Sequence, residues 1–146
     1  MLSVGSAKKI EASDMEVQFP EVEYDFEPFG NRVFVQIRYP IQITKSGLVL
    51  SSDTVQDAYR NEQCAKVVGM GASCFMLMTT GAEWPTGRAF EVGEFVRVPL
   101  HGGDNHWEIA TINGEQQTIL FKIFKDHEII GKYRKPLDVK TNYAYF

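Results

Sequence analysis

The Asn113-Gly114 pair constrains this chain more than any other two residues. Asn-Gly readily takes the positive φ angles of a type I′ turn, whose twist matches that of two antiparallel strands. The runs His106 to Ile112 and Gln117 to Phe124 flank it, so the pair predicts a tight β-hairpin. Val33, Val35 and Ile37 alternate with Arg32, Phe34, Gln36 and Arg38, the period of a half-buried strand. Cys64 to Val68 predicts a short strand stopped by Gly69-Met70-Gly71. Glu94 to Val98 follows the Val92-Gly93 turn and stops at Pro99, and His127 to Tyr133 is a last short strand. No segment keeps helical periodicity over three turns. Many short strands at this spacing predict an all-β fold, a small barrel or sandwich.

At 146 residues the chain suits one domain with its own core. A hydrophobic content of 44% and a charged content of 23% are ordinary for a globular protein. The formal net charge of −4 gives no support to nucleic-acid binding. Cys64 and Cys74 are too few for a disulfide framework. No apolar run approaches the ~18–20 residues of a membrane span, and no secretory h-region is seen. The expectation is a soluble cytoplasmic protein with neither nucleic acid nor membrane as partner.

Thr44-Lys45-Ser46-Gly47-Leu48-Val49-Leu50 is a small polar run ending in three bulky aliphatics. The stretch that follows, Ser51 to Gln63, is polar and lacks apolar periodicity. The pattern predicts a loop that presents a short apolar plug, with Ser46 and Gly47 permitting the turn. The alternative is a core strand, which the polar run after it disfavours. Phe75-Met76-Leu77-Met78 is a second apolar run. In isolation it reads as a buried core strand; the alternative is a projecting hairpin whose apolar face meets copies of itself.

Charge is uneven along the chain. From Glu11 to Glu27 there are seven acidic residues and no Lys or Arg, whereas Lys122 to Lys140 carries six basic residues against three acidic ones. Two solvated ends explain this; so does attraction between the ends, within or between subunits. Val22, Tyr24 and Phe26 alternate with acids, so their segment could add an edge strand. Met1 to Met15 has no such pattern and is expected to be loose. Tyr143, Tyr145 and Phe146 are expected to pack against the body as one more strand.

No catalytic constellation emerges. His101 and His106 with Asp104 lack a third firm ligand at metal-site spacing, and Gly102-Gly103-Asp104-Asn105 is turn chemistry. Trp107 reads as core. Cys64 would be a nucleophile only beside an activating base, and its strand position favours a buried thiol. Gly69-x-Gly71 is too short for a phosphate-binding fingerprint.

The order of the pieces resembles the co-chaperonin family, the GroES-like lids of chaperonin rings, over residues 28–133. Pro28-Phe29-Gly30-Asn31-Arg32-Val33-Phe34-Val35 resembles the family's opening strand, with Asn31 where the family usually has Asp. The 44–50 run resembles its mobile loop, and Val68-Gly69-Met70-Gly71 the turn into its roof hairpin. Val92-Gly93-Glu94-Phe95-Val96 resembles the strand returning from the roof, and Asp126-His127-Glu128-Ile129-Ile130-Gly131 the closing segment. Gln63 stands where the family usually has Gly, and the stretch between Gly71 and Val92 is more apolar than the usual roof.

The resemblance implies a small GroES-like β-barrel at 28–133, with a mobile loop at about 41–62 and a roof at about 71–91. Residues 1–27 and 134–146 are then extensions, and the divergence suggests a phage- or virus-encoded version acting in host cytoplasm. It further implies a non-enzymatic co-chaperonin, a heptamer capping a GroEL-like chaperonin ring around a non-native client protein. Leu48, Val49 and Leu50 would be the chaperonin contacts and Thr44, Lys45, Ser46 and Gly47 their hinge. Arg32, Val33, Val35 and Ile37 of the first strand and Ile129, Ile130 and Tyr133 of the last would form the subunit interface. No cofactor or metal is expected, because the partner binds the ATP. The alternative function is a structural β-barrel or sandwich protein such as a virion component. The missing Gly-x-Gly-x-x-Gly half disfavours a third reading, part of a medium-chain dehydrogenase.

Overall fold

The computed structural model describes residues 15–40, 58–112 and 114–139. Six strands, β1 (Arg32–Ile37), β2 (Cys64–Met70), β3 (Phe95–Arg97), β4 (Asp104–Ile112), β5 (Glu115–Lys125) and β6 (Gly131–Tyr133), form one antiparallel sheet. Their order is β4-β5-β1-β2-β3-β6. Among the described residues helix is confined to single turns, α1 (Met15–Gln18), one at 58–61, and two 3₁₀ turns, Asp126–Glu128 and Pro136–Asp138. The all-β class is as the strand pattern predicts. The sheet is open, however: among the described residues no ladder joins β4 to β6, so the expected barrel is not closed. With three residues each, β3 and β6 are too short to carry the sheet round.

The predicted hairpin forms. The β4–β5 ladder runs to Ile112↔Glu115, and Gly114 has a φ of 82°, the positive value such a turn requires.

β1 departs from expectation in two ways. It is buried on both faces rather than one, with Phe34 fully enclosed as well as Val33, Val35 and Ile37. Val33 and Val35 lie opposite Phe124 and Lys122 of β5, and Phe34 and Gln36 opposite Ile123 and Phe121, so the two sets occupy opposite faces. The chain at 20–28 covers the second set. The Tyr24 and Phe26 rings sit 5.2 and 4.6 Å from the Phe34 ring, which stacks on Phe121 at 4.9 Å. Gln36 Nε2 donates to the Pro20 carbonyl at 2.8 Å, and Tyr24 Oη donates to the Val68 carbonyl at 2.9 Å.

The strip at 20–28 is therefore neither a loose extension nor an edge strand. It crosses the sheet face without joining a ladder among the described residues, and it exposes Glu21, Glu23, Asp25 and Glu27. On the opposite face Tyr59 meets Trp107 edge-on at 5.8 Å. Trp107, expected in the core, stays 41% exposed.

The Gly69-Met70-Gly71 stretch, expected to stop the strand after Val68, instead continues β2 to Met70, and its glycines have a steric cause. A Cβ on Gly71 would overlap the Gly30 carbonyl, and one on Gly69 would press on Pro28 Cδ at 3.3 Å. Both glycines let the strip and the turn at Gly30 lie directly against β2.

Candidate functional site

Leu48, Val49, Leu50 and Thr44 to Gly47 lie outside the described residues, but the place where their segment leaves and rejoins the body is well defined. Tyr39 and Tyr59, one just before the segment and one just after it, have ring centroids 5.8 Å apart. Beneath them Arg38 Nε donates to Glu62 Oε1 at 2.8 Å, both side chains being 3% exposed. Arg38 Nη1 also donates to the Val139 carbonyl at 2.6 Å. Glu62 Oε2 accepts from the backbone N–H groups of Gln63 at 2.9 Å and Cys64 at 3.2 Å. These bonds compensate the desolvation of two buried charges, and they tie the end of β1 to the start of β2. The mouth of the segment is thus a closed, braced base.

Cys64 sits beside this pair. Burial pushes its thiol up from 9.0 to about 12, against the smaller downward pull of Arg38. A thiol so protonated is an inert core group, which disposes of the nucleophile reading. Burial also raises Cys74, whose Sγ contacts the Arg32 carbonyl.

The 71–91 segment is a projecting hairpin. Trp84 N–H donates to the Phe75 carbonyl at 2.8 Å and Leu77 N–H to the Ala82 carbonyl at 2.6 Å, bracketing a Met76↔Glu83 bridge. The core-strand reading fails because only Phe75 of the four apolar residues goes inside. Met76 and Leu77 are more than a third exposed and Met78 is 79% exposed. Phe75 anchors the base at a φ of 64°, rare for a bulky residue, between Trp84 and Phe90. Its N–H donates to Asp126 Oδ2 at 2.8 Å, and Asp126 Oδ1 accepts from His127 N–H at 2.7 Å. The buried Asp126 carboxylate thus ties the hairpin to the closing segment.

The expected interface divides. Both edges of β1 are paired within the chain, to β2 and β5, and Val33, Val35 and Ile37 are completely buried in its own core. Arg32 is exposed, yet it belongs to the same doubly paired strand. Within this chain β1 is thus an interior strand of the sheet, with both backbone edges paired. β6 is different. Among the described residues it pairs with β3 on one side only, Ile130 beside it is 59% exposed, and Tyr133 and Ile129 are half-buried.

The imidazoles of His101 and His106 diverge. His106 packs against Phe26 and Phe34 and pairs with Glu108 on the strip-covered face, whereas His101 lines a cleft on the other side with Lys122.

Sequence reasoning did not find Glu62, Asp126 or Lys122. A charged residue inside an apolar run, as in Ile119-Leu120-Phe121-Lys122-Ile123-Phe124, was the available signal for the last. The first two stand at the ends of strands, where acids are ordinary. No protein-family model matches the chain, and no curated protein sequence matches it.

Proposed function

We propose that this chain is a co-chaperonin, an oligomeric lid that docks on a chaperonin ring through Leu48, Val49 and Leu50. The observation that carries the reading is the braced mouth at Tyr39 and Tyr59. Tyr39 and Tyr59, which flank the segment bearing the aliphatic triplet, stand ring to ring, so the two ends of that segment meet at one place on the body. A projecting hairpin with an apolar tip at 71–91, in chain order where a lid's roof belongs, supports the same reading.

The energetics suit a detachable cap. Burying the three aliphatics contributes ~1.5–3 kcal/mol each, while ordering the loop costs ~1–2 kcal/mol per residue. One loop binds weakly, and several on one ring bind by avidity. Nucleotide binding and hydrolysis belong to the partner.

A second reading, a structural β protein of a particle, draws on the exposed Met76-Leu77-Met78 tip and the open edge of β6, which serve self-assembly without a chaperonin. The two separate in one experiment. A purified chaperonin with nucleotide should retain the wild-type chain, Leu48→Asp should abolish retention, and its melting temperature should match wild type. Unfolding of the Leu48→Asp chain would place the triplet in the core and defeat the lid reading. Recovery of the chain from purified particles, with no chaperonin retention, would favour the structural one.

A further inference from the structure

The face of the sheet opposite the strip carries one side chain that its neighbours do not explain. Lys122 on β5 lies between Val35 of β1 and Asn105 of β4, in a position flanked along its own strand by the buried Leu120 and Phe124. It is 7% exposed. Among the described residues its ammonium makes no hydrogen bond or ion pair. Burial pushes it below the ordinary lysine range, with no carboxylate opposing that shift. The adjacent acid, Asp104, stands opposite Ile123 and so belongs to the other face.

Lys122 lines a cleft of ≈ 400 Å³ together with Arg60, His101, Asn105 and the backbone of Gly102 and Gly103. The imidazole of His101 and the amides of Asn61 and Asn105 share this cleft with the ammonium, and no described acid lines it. A lysine stem often lies along apolar surface while its head reaches water. That habit accounts for the stem, but not for the imidazole and the amide donors around the same opening.

We propose that this cleft binds a small phosphate-bearing anion, with Lys122 as its central ligand. Ammonium, imidazole and amide donors lining one cleft suit an oxyanion with several acceptor oxygens, which a phosphate group supplies. The site is independent of the lid reading, since it involves neither the aliphatic triplet nor the hairpin tip.

The test is calorimetric titration of the full chain with inorganic phosphate and with glycerol phosphate at matched ionic strength, with acetate as control. The expected result is saturable binding of a phosphate probe and little of acetate. Lys122→Met should weaken binding at least tenfold and Lys122→Arg should keep it within about threefold. Lys132→Met, on the exposed β6, should leave it unchanged. Lys122→Met keeps the length and apolar character of the stem, so it should fold, and phosphate should raise the melting temperature of wild type but not of this variant. Tighter binding of glycerol phosphate identifies a phosphorylated metabolite as the natural ligand, and equal binding identifies free phosphate. Absence of saturable binding by folded wild type, or undiminished binding by Lys122→Met, overturns the proposal and leaves only a snorkelling lysine.

Discussion

Cys64 shows how a single position responds to the charges and burial around it. Its folded-state thiol titrates near 12 while the exposed group titrates near 9.0. Between those values the unfolded chain has lost a proton that the folded chain retains, so stability declines as pH rises through that window and is unaffected below it. The slope from this one group is at most ~1.4 kcal/mol per pH unit. Replacing it by valine removes the slope. Denaturant titrations of both proteins should give a stability difference that shifts toward the variant as pH climbs above about 9; a difference that stays constant would show Cys64 to be solvated. The thiol should also resist alkylation in the native state near neutral pH. Burial of Cys64 was legible from its place at the head of an apolar run. The Arg38–Glu62 pair beside it was not, because the partners lie on different elements and nothing local marks them as facing one another.

At the scale of elements, alternation identified β1 but misjudged its environment. Period-2 patterning reports which residues face one way; it cannot report that a segment from elsewhere covers the other face. Phe34 among the supposedly outward residues was the clue, and Val22, Tyr24 and Phe26 supplied the cover. The hairpin at Asn113-Gly114 was legible because its turn chemistry is local, and the roof hairpin was ambiguous because Phe75-Met76-Leu77-Met78 suits a core strand equally well. The strip leads to a prediction. Phe26→Ala removes a ring packed on Phe34 and beside His106, and should cost about 2–4 kcal/mol, toward the lower end because Phe26 is only partly buried. Equilibrium unfolding in urea measures it. Glu23→Ala, on the exposed side of the same strip, should change stability by less than about 0.5 kcal/mol. Equal losses from both would mean that the strip does not hold the face.

Among the described residues three stretches of backbone have an edge outside any ladder, the strip at 20–28, β4 and β6, and of these the strip and the end of β6 are opposite in charge. The strip at 20–28 is extended, forms no ladder among the described residues, and turns Glu21, Glu23, Asp25 and Glu27 outward. Among the described residues β6 is paired on one side alone, and it is followed by exposed Arg134 and Lys135. An exposed edge invites another strand, and in the proposed ring the strip of the next subunit would be the donor. This arrangement replaces the β1 half of the expected interface with a segment that has backbone groups to offer, and it keeps the β6 half. Exposed charge pairs weaken as salt rises, since the Debye length falls from ~30 Å at 0.01 M to ~3 Å at 1 M. Native mass spectrometry and light scattering should therefore show the assembly loosening across that range. Reversing Glu21, Glu23 and Asp25 to lysine should yield monomers. Reversing Arg134 and Lys135 to glutamate should do the same, and mixing the two variants should restore mixed assemblies, because each supplies the edge the other lost. These positions are exposed, so the monomers should melt close to wild type. A wild-type chain that is monomeric at micromolar concentration, or variants that assemble as well as wild type, would remove both this interface and the ring built on it.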